Sequence, residues 1–466
     1  MENFWDSNVW GTYLIVGILL ASLLAANSLK RKIPFLRNSL IPNSVLGGIL
    51  ILILVGIYKL CSGGMGLFDA EIFGGNAYST MEVLTYHCLA LGFIASTLKS
   101  SEAKLTKERS VEIFNTGVTT VSTYLLQGVV GMGLTMVIAW IIIKDFFPAA
   151  GLLLPFGYGQ GTGQAMNYGG IYEAQFGFVG GKTFGLTVAA MGFLSASIGG
   201  VIYLNVLRKK GVVAAKAEAS HNLEKIEEDN EIPMQDSVDK LTVQVALIAV
   251  AYMLAYILMY ILGNLLPGMK SVIYGFNFLL GVLSATVVKN IIKLLRKTGL
   301  MNRVYTNNFL LTRTSNFFFD LMVVAGVAAI RLDILEDYWG IMLILGVVGL
   351  VITFAYQLVV SKLLFPGYAQ EQFLMMYGML TGTASTGTIL LRELDPEFKT
   401  PAADNMVYQN FPAIVFGFPI MLLATLAPQK PVLTWILLLA FLLVMNVILF
   451  RKFIIAKIKN LIKSGK

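Results

Sequence analysis

The sequence predicts an all-α polytopic membrane protein, and three observations carry that expectation. The 466 residues are 56% hydrophobic and 13% charged, with a mean hydropathy of +0.73, whereas about a quarter of the residues of ordinary soluble domains are charged. Apolar runs of about 20 residues recur with short connections, the length a helix needs to cross a bilayer, and about eleven spans fit the chain. Lysine and arginine gather in alternate connecting loops, the bias that orients multi-pass chains. The net charge of +8 therefore belongs to one membrane face and not to a nucleic-acid surface. Cys61 and Cys88 lie in or beside apolar segments and read as small buried hydrophobes, not as a disulfide.

The first span, about Val9 to Leu29, ends in Lys30-Arg31-Lys32 and Arg37, which places that loop in the cytoplasm and the N-terminus outside. No cleaved signal is expected, because Met1 to Trp10 carries Glu2 and Asp6, no cation, and no small-residue cleavage site follows. Pro42 opens a second span to about Leu60, and the next loop, with Asp69 and Glu71, suits the outer face. A third span, about Glu82 to Leu98, returns the chain to Lys99, Lys104, Lys107 and Arg109. The fourth, about Val111 to Ile143, is long enough to be tilted or partly interfacial.

The stretch from about 149 to 172 holds Pro155-Phe-Gly-Tyr-Gly-Gln-Gly-Thr-Gly-Gln-Ala165. Each glycine disfavours a helix interior by roughly 1 kcal/mol, so the backbone breaks here, and broken backbone at membrane depth needs protein or water over it. The next span, about Val179 to Leu207, ends in Arg208-Lys209-Lys210. The broken stretch must then return to the side it came from, as a re-entrant hairpin entered from outside. Residues 209–240, with Glu227, Glu228, Asp229 and Glu231, read as a mobile cytoplasmic linker without chemistry, His221 in it being solvated.

Spans at about Leu241 to Leu265 and Ser271 to Val288 open the second half, and the basic run from Lys289 to Arg303 marks the cytoplasm. Phe309 to Ile330 leads out to Asp333, Glu336 and Asp337, and Trp339 to Leu364 leads back. The second broken stretch, about 372 to 392, contains Tyr377-Gly-Met-Leu-Thr-Gly-Thr-Ala-Ser-Thr-Gly-Thr388 and enters from the cytoplasm. Val407 to Leu426 and Leu433 to Ile455 complete the spans, with a basic tail of Arg451, Lys452, Lys457 and Lys459. The organisation expected is a first repeat at 1–208, a linker at 209–240, an inverted repeat at 241–428, and an appended span with tail at 429–466. Each repeat has five spans and a hairpin between the fourth and fifth, a relation resting on hydropathy, charge and motif placement.

Hairpin tips can carry transport chemistry. Unwound carbonyls and hydroxyls replace the hydration of a cation, and the free N–H groups of half-helix N-termini hold a carboxylate. Candidate substrate contacts are Gly161, Thr162, Gly163 and Gln164 on the first tip, Gly382, Thr383, Ser385 and Thr386 on the second, and Arg313 in the eighth span. Candidate Na+ ligands are Gln160, Thr162, Thr381, Thr383 and Thr386, with Asp404, Asn405 and Asn410 at the start of the tenth span; Thr388 adds a further hydroxyl. Competing readings stand beside these: close helix packing for the glycines, an N-cap for Asp404, and snorkelling for Arg313. Arg313 and Asp320, seven apart, share a helix face and face protein, each other or substrate. Glu173, Lys182, Arg392, Glu393 and Asp395 flank the hairpins as vestibule charges. His87 and Cys88 lack further ligands at metal spacing. An intramembrane enzyme needs a nucleophile paired with a base, and His87 is the only imidazole in the apolar region, so no catalytic residue or cofactor is expected.

Tyr158 to Ala165 (Tyr-Gly-Gln-Gly-Thr-Gly-Gln-Ala) and Gly382 to Phe398 (Gly-Thr-Ala-Ser-Thr-Gly-Thr-Ile-Leu-Leu-Arg-Glu-Leu-Asp-Pro-Glu-Phe) resemble the bacterial sodium/glutamate symporter family, from the first span through the tenth. The resemblance implies inverted five-span halves, re-entrant loops meeting at a central site, and Na+-coupled glutamate uptake across the bacterial inner membrane. It also implies a homodimer in which a transport unit moves against a scaffold. The eleventh span and the charged linker depart from the most compact members. A Na+- or H+-coupled dicarboxylate carrier shares this architecture, and a passive channel could use the same Gly-Thr backbone. Moving one net negative charge into a negative-inside cell costs about 2.3 kcal/mol per 100 mV, so glutamate uptake calls for more than one cation.

Overall fold

The computed structural model describes residues 3–99, 106–211, 231, 232, 234, 238–396 and 398–464. Among them the chain is helical throughout, and one isolated bridge, Glu231 to Val304, is the extended pairing. The first half contributes α1 (Ser7–Lys32), α2 (Pro34–Asn38), α3 (Asn43–Cys61), α4 (Ala77–Leu98), α5 (Lys107–Val137), α6 (Thr162–Phe176) and α7 (Gly181–Lys209). After residues outside the description come α8 (Lys240–Leu265), α9 (Lys270–Gly275), α10 (Asn277–Lys297), α11 (Asn308–Ala328) and α12 (Leu332–Leu364). The chain ends with α13 (Ala369–Thr381), α14 (Ala384–Arg392), α15 (Ala402–Tyr408), α16 (Asn410–Leu426), α17 (Pro431–Leu449) and α18 (Arg451–Ser464).

Among the described residues, 10 helices are long and apolar enough to cross a membrane, or 11 if the pair Ala402–Tyr408 and Pro412–Leu426, bent by 54°, counts as one. The protein is thus an all-α, multi-pass membrane protein. Exposed Val245 and Ile257 on α8, Val347 and Val351 on α12, and Leu443 and Val447 on α17 form the apolar belt that lipid covers.

Side-chain chemistry sets the helix ends. Thr106 caps α5 by accepting from the Arg109 amide at 3.3 Å, Asp239 caps α8, and Asn307 caps α11, each satisfying an otherwise orphaned first-turn N–H. The helices sort into two packing groups. One holds α1, α3, α4, α8, α10 and α11; the other holds α5, α7, α12, α13, α14, α16 and α17, with α6 lying on α7 and touching α4 and α11 at the join.

Four local expectations change. The seventh span is split at Phe276 into α9 and α10. The tenth is bent where Pro412 removes a helix N–H. The last, expected to reach about Ile455, ends at Leu449, and Arg451 of the basic tail donates to Asn115 Oδ1 at 3.0 Å and stacks on Phe114. Most of the linker, including His221, Glu227, Glu228 and Asp229, lies outside the described residues. Its end is not solvated: the buried Glu231 carboxylate meets Lys240 Nζ at 2.6 Å and accepts from Asn307 Nδ2 at 2.7 Å, because a buried charge needs a partner. Cys61 is exposed and Cys88 buried, both as thiols.

Candidate functional site

Both glycine-threonine stretches form helical hairpins. In the first, a helical arm over residues 148–160, a tight 3-10 turn at Pro148–Leu152 followed by a wide π turn at Pro155–Gly159, turns at Gly161 and returns as α6. Gly161 has φ +82° and ψ −171°, a region open in practice only to glycine. The arms run antiparallel, with Phe156 stacked on Tyr168 at 4.0 Å and Phe147 against Tyr172 at 5.2 Å. In the second, α13 turns at Gly382 and returns as α14. Gly378 and Gly387 face each other so closely that a Cβ on Gly378 would stand 2.7 Å from the Gly387 Cα.

The two tips meet. A Cβ on Gly161 would lie 4.0 Å from Thr383 Cγ2, and one on Gly192, near the middle of α7, would stand 2.5 Å from the Thr381 carbonyl oxygen and 3.1 Å from Tyr158. Ser195, almost one turn further along α7, serves both hairpins: its Oγ meets Tyr158 Oη at 2.8 Å, and its carbonyl accepts from Tyr377 Oη at 2.8 Å. On the opposite flank α5 holds the carbonyls at the two arm ends. Tyr124 Oη donates to Gly159 O, and Gln127 Nε2 donates to Leu380 O, each at 3.0 Å.

The N-termini of α6 and α14 therefore converge on one place, with the carbonyl-bearing ends of the other two arms beside them. The α6 N-terminus has no side-chain cap, so its first N–H groups offer partial positive charge to an anion. At α14, Thr383 Oγ1 accepts from the Thr386 amide at 3.3 Å. Gln164 in the first turn of α6 is 1% exposed, and neither its Oε1 nor its Nε2 has a hydrogen-bond partner.

The sequence candidates separate by position. Gln160, Gly161, Thr162, Gly163 and Gln164 sit at the first tip; Thr162 is fully buried, with Oγ1 3.4 Å from Met322 O of α11. Thr381, Gly382, Thr383, Ser385 and Thr386 sit at the second. Thr381 Oγ1 donates to Tyr377 O at 2.6 Å and Thr388 Oγ1 to Ala384 O at 2.9 Å, which leaves their lone pairs as acceptors. The remaining candidates are on other elements. Asp404 is 71% exposed and faces Arg109 at 3.9 Å. Asn405 is buried at the foot of the second hairpin, donating to Tyr368 Oη at 2.8 Å and Gln372 Oε1 at 3.2 Å. Asn410 accepts from Gln409 Nε2 at 3.1 Å. The Arg313 guanidinium lies 5.0 Å over the Phe309 ring, and the Asp320 carboxylate is near Ser44.

Sequence reasoning missed Tyr124, Gln127, Tyr158, Ser195 and Tyr377. Their signal was available: polar or amphipathic side chains inside apolar spans, which need buried partners. A cavity of about 460 Å³ opens beside the first hairpin, lined by Glu82, Tyr86, Asn167, Gln175, Lys182 and Tyr274. There the Glu82 carboxylate bridges Lys182 at 2.6 Å and Arg331 at 3.6 Å. A second cavity, about 430 Å³ between Trp5 and Ile72, involves neither hairpin. Compared with models of known protein families and with curated proteins, the chain matches none.

Proposed function

We propose that this protein is a secondary active transporter that takes up a small amino-acid or carboxylate anion, glutamate foremost, with Na+ as coupling ion. The observation that carries this reading is the convergence of two half-helix N-termini and two arm-end carbonyl groups in one buried place. Such a site offers N–H groups to a carboxylate and oxygens to a cation at once. The uncapped start of α6, with Thr162, Gly163 and the unpartnered Gln164, receives the anion; hydroxyls of Thr381, Thr383 and Thr386 serve Na+. The two packing groups act as transport unit and scaffold, and the hairpins, one in each inverted five-span half, alternate as gates. The chain resides in the bacterial inner membrane as a homodimer, with its N-terminus outside and C-terminus inside.

Purified protein in liposomes, given labelled glutamate and an inward Na+ gradient, tests the reading. Uphill uptake is expected and should vanish when K+ replaces Na+. Thr162→Leu and Ser385→Leu should each abolish it with expression retained. Downhill equilibration that ignores the ion gradient means a channel, uptake of a dicarboxylate but not glutamate corrects the substrate, and full uptake by both variants removes the tips as the site.

A further inference from the structure

A second polar structure lies outside the hairpin tips, along the seam between α5 and α12. Thr123 and Gln127 on α5 and Thr353 and Gln357 on α12 are all fully buried. Each pair is spaced by four and so lies one turn apart on a common face. The helices run antiparallel here: Gln127 Nε2 donates to Thr353 Oγ1 at 2.9 Å, and Gln357 Nε2 donates to Thr123 Oγ1 at 2.7 Å.

Their neighbours fix which way the two amides point. Gln127 also donates to the Leu380 carbonyl at 3.0 Å, so a turned amide would set oxygen against oxygen. Thr123 uses its proton on Thr119 O at 2.7 Å and can only accept from Gln357. The orientation of both amides is thus fixed, and both amide oxygens, Gln127 Oε1 and Gln357 Oε1, are buried without a donor. One turn beyond Gln357, Ser361 Oγ is likewise buried without a partner. The seam thus holds two buried amide oxygens that no donor reaches, with the Ser361 hydroxyl beside them.

We infer that this seam binds a dehydrated alkali cation, held by Gln127 Oε1 and Gln357 Oε1 with the hydroxyl oxygens of Thr123 and Thr353. The ligand class selects the ion. All four ligands are neutral oxygens, which suit a monovalent ion stripped of water. Carboxylates for Ca2+ or Mg2+ and the nitrogen or sulfur ligands of transition metals are not among them. Because Gln127 also holds Leu380, one residue before Thr381, an ion here fixes the last turn of α13 against α5. Gln127 also supports the second tip, so Gln357, which bonds only Thr123, is the ligand whose replacement separates the seam from the reading above.

The test is equilibrium binding of radiolabelled Na+, and separately of labelled K+, to the detergent-purified full chain in choline buffer. Wild type should bind at least one of the two ions, and Gln127→Leu and Gln357→Leu should each lose one bound ion per chain. Thr162→Leu should keep it. Gln357→Glu, which preserves shape and adds charge, should bind about 10-fold tighter, the effect of roughly 1.4 kcal/mol, and it carries the test if the leucine variants misfold. Binding of neither ion by wild type overturns the inference, as do undiminished binding in both folded leucine variants and unchanged affinity in Gln357→Glu. Loss of all bound ions in Thr162→Leu assigns them to the tips, which removes the seam site and leaves the tip reading in place.

Discussion

Asp395, read from the sequence as a vestibule charge, is a structural carboxylate at the foot of the second hairpin. Its Oδ1 accepts from the Lys399 amide at 2.9 Å, and its Oδ2 from the Thr400 amide at 2.8 Å and Thr400 Oγ1 at 2.6 Å. Burial is the largest influence and by itself would raise its pKa. The hydrogen bonds from Thr400 and Lys399, with the Lys399 charge, together outweigh it and hold the carboxyl below its ordinary value. A carboxyl depressed in the folded state contributes stability above its unfolded pKa, and that contribution is lost as pH falls through the folded value. Asp395→Asn should therefore melt earlier than wild type at neutral pH, and the gap should close on acidification well below the usual ~3.9. A gap that stays constant with pH would assign the effect to shape and not to charge. This role was hidden in the sequence because it depends on where the loop folds back, whereas Thr383 as a hairpin residue was legible from its glycine neighbours.

Among elements, the spans were the most legible, since length and apolarity are local properties. The break at Phe276 was not, because it depends on what packs around it, and the bend before Pro412 had a local sign in that proline which the span reading passed over. In the second hairpin the contact between Gly378 and Gly387 sets the separation of the arms. A side chain at Gly387 would meet the Met375 carbonyl of the facing arm. Gly387→Val should thus force the arms apart, destabilise the protein by about 1–3 kcal/mol as overpacking does, and abolish uptake. Gly367→Val, where a Cβ meets nothing within 4 Å, is the matched control. Equal melting and uptake in the two variants would remove this role for the glycine pair. The seam between α5 and α12 was only partly legible: Thr119, Thr120, Thr123 and Gln127 stand out in an apolar run, but nothing local names α12 as their partner.

For the whole molecule, the segment joining the two halves ends in the buried pair Glu231–Lys240, which seats the start of α8 against the cap of α11. Removing one member of a buried pair typically costs about 3–5 kcal/mol, since the other charge is left uncompensated. Glu231→Gln should lower the melting temperature clearly more than Arg208→Gln, whose pairing with Glu393 at 2.9 Å is half-exposed. Similar losses in both would mean that the Glu231 pair is effectively solvated. The placement of Ser195 has another consequence, for synthesis. The first hairpin is made before α7 and the second long after it, yet both lean on the same stretch of α7. Half-helices with unpaired backbone do not persist in lipid, so the first hairpin must wait for α7 to leave the ribosome, whereas the second meets an α7 already in place. The two look-alike elements are therefore assembled by different routes, one held back until its support arrives and the other received by it.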